Sequence, residues 1–78
     1  MTIRASYDMT IKVLDESTQK EETYFLVRVE EENWGEKKIS PYSPLGKAVF
    51  AKEPGQTVEA FFTKDAPKRF RIVSIEPT

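Results

Sequence analysis

The sequence predicts an α+β domain, a small antiparallel four-stranded sheet curled over one short helix. Three observations carry this. Four stretches read as strands: two alternate apolar and polar residues with the period of two that a half-buried strand shows, one is apolar on both faces and one switches phase. A single Ser43-Pro44 pair opens a helix between the second and third stretches. The first two and the last two stretches are joined by hairpin-length connections, which makes each pair antiparallel neighbours.

Strand one is expected over residues 7–13, where Tyr7, Met9, Ile11 and Val13 alternate with Asp8, Thr10 and Lys12. Residues 15–22 are wholly polar and read as a hairpin loop, despite having no glycine. Strand two follows over residues 23–29, with Phe25, Val27 and Val29 on one face and Tyr24, Leu26 and Arg28 on the other, so it is expected to be covered on part of both faces. Residues 30–38 form a charged connection whose only large apolar group, Trp34, is expected to fold back as a lid on the core. Ser43 suits the helix N-cap and Pro44 its first turn, and Leu45, Ala48, Val49 and Lys52 continue at helical spacing until Pro54-Gly55 stops the chain. Strand three is expected over residues 57–63, with Val58, Ala60 and Phe62 inward. Strand four is expected over residues 69–76. There Phe70 and Ile72 share a face while Val73 and Ile75 take the other, which calls for a bulge or for a strand covered on both sides.

At 78 residues the chain is read as one domain, 1–78, with a thin core and little room for an active-site cavity. It contains no histidine and no cysteine, which excludes disulfide scaffolds, Cys/His zinc sites, thiol nucleophiles and His general bases. Twelve basic residues against 13 acidic ones leave a formal charge of -1, against generic adhesion to nucleic acid or anionic membrane. No apolar run approaches the ~18 to 20 residues of a membrane span, and no apolar region follows Met1-Thr2-Ile3-Arg4 as a signal peptide requires. A cytoplasmic protein is the expectation.

Residues 38–59, Lys-Ile-Ser-Pro-Tyr-Ser-Pro-Leu-Gly-Lys-Ala-Val-Phe-Ala-Lys-Glu-Pro-Gly-Gln-Thr-Val-Glu, resemble the signature of the GreA/GreB transcript cleavage factor C-terminal domain. Residues 22–27 look like that domain's second strand and residues 70–76 like its last, so the resemblance covers nearly the whole chain. It implies an FKBP-like fold, shared with Rnk-type polymerase-binding proteins. It also implies a role in docking on the coiled coil of the RNA polymerase β′ subunit, at the rim of the secondary channel. Two departures stand out. In the cleavage factors a long helical hairpin with a magnesium-holding acidic tip precedes this domain, and none is present in this sequence. The family also commonly has aspartate where this chain has Tyr42. The reading is therefore a polymerase-binding module with no cleavage activity of its own, no cofactor and no metal, acting as a monomer. The alternative is a fragment of a full cleavage factor that stimulates polymerase RNA cleavage through a missing coiled-coil hairpin.

The expected protein-binding residues are Tyr42, Ser43, Pro44, Leu45 and Lys47. Tyr42, Pro44 and Leu45 would be apolar anchors on a turn made rigid by the Ser43 cap, with Lys47 as a rim charge. Gly46, unfavourable inside a helix by roughly 1 kcal/mol against alanine, points to close approach of another backbone. Glu30, Glu31 and Glu32 are consecutive, read as a solvated acidic turn, and are assigned no metal. Lys64, Lys68, Arg69 and Arg71, interleaved with Phe61, Phe62 and Phe70, have the look of a single-strand nucleic-acid surface. Alternation instead sends Phe62 and Phe70 to the core and sets Arg71 opposite Glu59 or Glu76, so direct nucleic-acid binding is not expected. A peptidyl-prolyl isomerase reading would rest on fold analogy alone.

Overall fold

The first alternating stretch runs as β1, Met9–Asp15, and turns Ile11, Val13 and Asp15 to the buried face. The computed structural model describes residues 3–77. Met1 and Thr2, read above against a signal peptide, lie outside the described residues. Tyr7 and Asp8 form the turn before β1 instead of its first residues, because Asp8 sits at φ 62°, a left-handed conformation incompatible with a strand. The polar loop is shorter than expected, since β2 begins at Lys20 and runs Lys20–Leu26. Asp15 makes the glycine-free reversal work. Its carboxylate accepts from the Ser17 hydroxyl at 2.7 Å and the Ser17 N–H at 3.0 Å, and Gln19 takes the left-handed position at φ 61°. The Ser17 bonds hold the Asp15 carboxyl below its ordinary range.

In β2 the buried side chains are Tyr24 and Leu26, with Phe25 half-buried on the other face and Val29 exposed beyond the strand's end. Burial, reinforced by a hydrogen bond to Glu22 at 2.8 Å, pushes the Tyr24 phenol up from its ordinary value. The charged connection then folds into two 3-10 turns, Val29–Glu31 and Trp34–Glu36, and Lys37 turns the chain at φ 62° into β3, Lys38–Ile39. This fifth strand pairs parallel with β2 and makes the sheet mixed, where the sequence predicts four antiparallel strands. Two residues are too few to show a period, so β3 had no sequence signal.

The helix α1, Pro44–Val49, is shorter than its apolar spacing suggests. Ala51 adopts φ 65° and its N–H goes to the Ala5 carbonyl at 2.7 Å, which ends the helix at the Phe50 C-cap. β4, Thr57–Phe61, and β5, Pro67–Pro77, complete a sheet in the order β3-β2-β1-β5-β4. The phase switch in β5 is a bulge. Lys12 pairs with Ser74 and Val13 with Ile72, leaving Val73 as the extra, exposed residue, so that Ile72 and Ile75 both reach the core. Leu45 and Val49 of α1 close that core over Ile11, Val13, Leu26, Ile39 and Ile72.

Two expectations fail at the last hairpin. Phe62 lies beyond the end of β4 and is 41% exposed, its ring edge-on to Phe70 and to Trp34, with both centroids 6.3 Å away. Trp34 thus covers Phe62, and only Phe70 is in the core. The partner of Glu59 is Arg69, directly opposite in register with Nε 3.6 Å from the carboxylate, while Arg71 stands opposite Thr57.

Candidate docking site

The turn from Ser40 to Gly46 is built inward from Ser40, which is fully buried. The Ser40 carbonyl accepts from the Ser43 N–H at 3.0 Å and the Ser43 hydroxyl at 2.6 Å. The Ser43 oxygen in turn caps α1 by accepting from the Gly46 N–H at 3.1 Å. One side chain thereby satisfies both an orphan helix donor and the carbonyl that the turn buries. The close approach of that carbonyl explains Gly46: a Cβ there would lie 1.8 Å from the Ser40 oxygen. The neighbouring backbone expected from the sequence is the chain's own.

Ser40 is itself held by Glu32. The Glu32 carboxylate accepts from the Ser40 N–H at 3.2 Å and from the Ser40 hydroxyl, whose oxygen accepts from the Tyr42 N–H at 3.3 Å. Of the acidic run, Glu32 therefore turns inward and supports the turn, while Glu30 and Glu31 are exposed. Among the described residues, no three carboxylates gather closely enough to hold a metal ion. The role of Glu32 had no sequence signal, because its eight-residue separation from Ser40 acquires meaning only once the intervening 3-10 turn and β3 bring the two together.

The sequence-predicted residues divide into two sets. Tyr42 is 79% exposed, Lys47 is exposed and Pro44 is half-buried. Ser43 and Leu45 are buried, Leu45 completely, so Leu45 is a core residue under the turn and does not present an anchor to a partner. The physical reason is helical direction: Leu45 shares its face with Val49, and that face packs on the sheet. Beside the exposed set an open groove of about 700 Å³ separates α1 from β4, with Tyr42, Pro44, Lys47 and Ala48 on one wall and Val58 and Phe61 on the other. Phe61, read from the sequence only within a basic cluster, is 55% exposed on the groove's far side.

The C-terminal family of transcription elongation factors GreA/GreB matches residues 3–77. The chain belongs to this family. GreA of Caulobacter sp. (strain K31), a transcription elongation factor, is 34% identical over 73 residues, covering 94% of this chain and 46% of that protein. Among solved structures, Thermus aquaticus Gfh1 superposes with a TM-score of 0.78 at 26% identity, over 97% of this chain and 50% of that one. The GreA/GreB factor of Nitrosomonas europaea gives 0.71 at 26% identity, over 88% and 57%. This Gre-type domain thus spans about half the length of the curated relatives it matches. The resemblance read from residues 38–59 is correct, and so is the α+β fold apart from the fifth strand. No helix among the described residues is long and apolar enough to cross a membrane.

Proposed function

We propose that this Gre-type domain is a protein-binding module of a transcription elongation factor, docking on the β′ coiled coil of RNA polymerase at the rim of the secondary channel. It acts as one cytoplasmic domain and as a monomer. The observation that carries the reading is the Tyr42 turn: an exposed ring and a half-buried proline held on a network of buried hydrogen bonds, within a chain that belongs to the family. Such a turn presents Tyr42, Pro44 and Lys47 at little ordering cost on binding, while Ser43 and Leu45 fix it from beneath. Aspartate gives way to tyrosine at position 42, so the contact there is made by an aromatic face instead of a charge.

Cleavage chemistry is assigned elsewhere. The side chains of the turn supply hydrogen bonds and apolar area, and the acidic run spends Glu32 on Ser40. A second reading, in which the domain is one part of a factor that stimulates polymerase RNA cleavage through a helical hairpin, is supported by its spanning about half the length of the GreA proteins it matches. In both readings the domain alone docks without stimulating cleavage in backtracked complexes.

The test is capture of purified bacterial RNA polymerase by the chain and by Tyr42→Ala. The variant is expected to melt within a few degrees of the wild type and to bind at least ~1 kcal/mol more weakly, a several-fold loss. Unchanged capture by a well-folded Tyr42→Ala protein would move the interface away from this turn.

A further inference from the structure

The groove follows an edge of the sheet, not one of its faces. Its strand side includes Thr57, Glu59 and Phe61 from one face of β4 and Val58 from the other, and residues of both parities border one groove only where it runs along the strand's side. The phase of the hydrogen bonds says what that side offers. Ile72 turns its backbone toward the β4 side, donating to the Gln56 carbonyl at 2.9 Å and accepting from the Gly55 N–H at 2.7 Å. Arg69 turns its carbonyl the other way, toward the Glu16 N–H at 3.1 Å beyond the end of β1. By the alternation of an antiparallel ladder, Arg69 and Arg71 face away from β4, and their partners Glu59 and Thr57 point their N–H and C=O groups away from β5. Phe61, opposite Pro67, continues this phase. No other strand among the described residues pairs with the outer side of β4.

The charges beside this edge are one-sided. Lys47 on α1 and Lys52 just beyond its end line the same wall of the groove, and neither ammonium makes an ion pair among the described residues, whereas the Glu59 carboxylate is matched by Arg69. We propose that the β4 edge accepts an extended, acidic segment of a partner protein as a sixth strand. Its backbone would pair with Thr57, Glu59 and Phe61, its carboxylates would point to the helix side and meet Lys47 and Lys52, and its alternate apolar side chains would lie on the opposite face, against Phe61. A second copy of this chain fits less well, because it would bring the same two lysines to a groove that already carries them. The inference goes beyond the polymerase reading and holds whether or not that reading does.

The test titrates the isotope-labelled chain with an acetylated, amidated octapeptide of alternating aspartate and valine, following amide exchange residue by residue. Protection of the Thr57, Glu59 and Phe61 amides is expected to rise about tenfold or more near saturation, while Val58 and Ala60, already paired with β5, change little. N-methylation of alternate peptide amides along the pairing edge should abolish binding, and Lys47→Glu with Lys52→Glu should weaken it about fivefold. Shifts confined to the lysines without amide protection, or no binding, would overturn the proposal. Protection that appears without peptide and grows with protein concentration would also overturn it, in favour of edge pairing between copies. Peptide binding retained by a Tyr42→Ala chain that no longer captures polymerase would separate the two surfaces.

Discussion

Residues 40–43 and residues 62–66 both connect regular elements, and both put an aromatic ring at the surface, Tyr42 in the first and Phe62 in the second. They are held in opposite ways. The first is a lattice of buried and half-buried polar contacts in which Glu32, Ser40, Ser43 and Gly46 fix one another, with the Tyr42 ring turned out to the surface. In the second every residue is exposed, and the ring rests edge-on to Trp34 and Phe70, with the Lys68 ammonium 5.9 Å from its centre. Hydrogen bonds are directional and a buried one left unmade is costly, so the first loop has one geometry; edge-on ring contacts tolerate rearrangement. The difference teaches that an exposed ring indicates binding when the chain beneath it is fixed for another reason.

The contrast is broken most sharply at Gly46. A Cβ at Gly46 meets backbone at 1.8 Å, and neither the Ser40 carbonyl nor the helix can yield without breaking the cap, so Gly46→Ala should cost at least about 3 kcal/mol. That is most of what a core of this size supplies, roughly 3 to 5 kcal/mol, and the cooperative thermal transition should be largely lost. A melt near the wild-type temperature would mean that the turn is not locked. Glu32→Gln comes next: it keeps the shape but weakens the acceptor for Ser40, at an expected cost of about 1 to 2 kcal/mol in denaturant unfolding, with polymerase capture falling beyond the loss of folded protein.

In the other loop, Phe62→Ala should cost only about 1 kcal/mol, because the ring is 41% exposed and its neighbours can settle into the space. A loss of 3 kcal/mol or more would return Phe62 to the core, where alternation had put it. That error is instructive. Val58 and Ala60 are inward as the pattern requires, and the pattern runs on through Phe62 although the strand stops at Phe61. Periodicity reports the parity of a strand and not where it ends, which depends on the turn that follows. The same limit explains why the N-cap at Ser43 and the reason for Gly46 were legible in the sequence, being local chemistry, whereas Glu32 beneath Ser40, the two-residue β3 and the groove beside β4 were not. Each of these exists only after distant segments meet.

A third loop, between β1 and β2, gives the smallest effect. It is locked by a polar network like the docking turn, centred on the buried Asp15 carboxylate. Ser17 lowers the Asp15 pKa in the folded state, so the contribution is complete above the ordinary aspartate value of ~3.9 and is lost as pH falls through the depressed one. The melting-temperature difference between the wild type and Asp15→Asn should therefore be constant from about pH 7 to pH 5 and shrink steadily toward pH 2. A difference independent of pH would assign the lock to shape alone.

The sheet order also sets the timetable on which the domain forms. β1 and β2 are joined by residues 16–19 and can zip as a hairpin within microseconds, on the order of 1 to 10. β5, the final strand in chain order, lies between β1 and β4, and its pairing sets Ile11 against Ile75 across most of the chain. That long closure places folding on the order of milliseconds or slower. During synthesis at the ribosome β4 has no strand partner on either side until β5 emerges, leaving only α1 to cover it. The interval before β5 docks is when a nascent chain is most exposed to aggregation through β4.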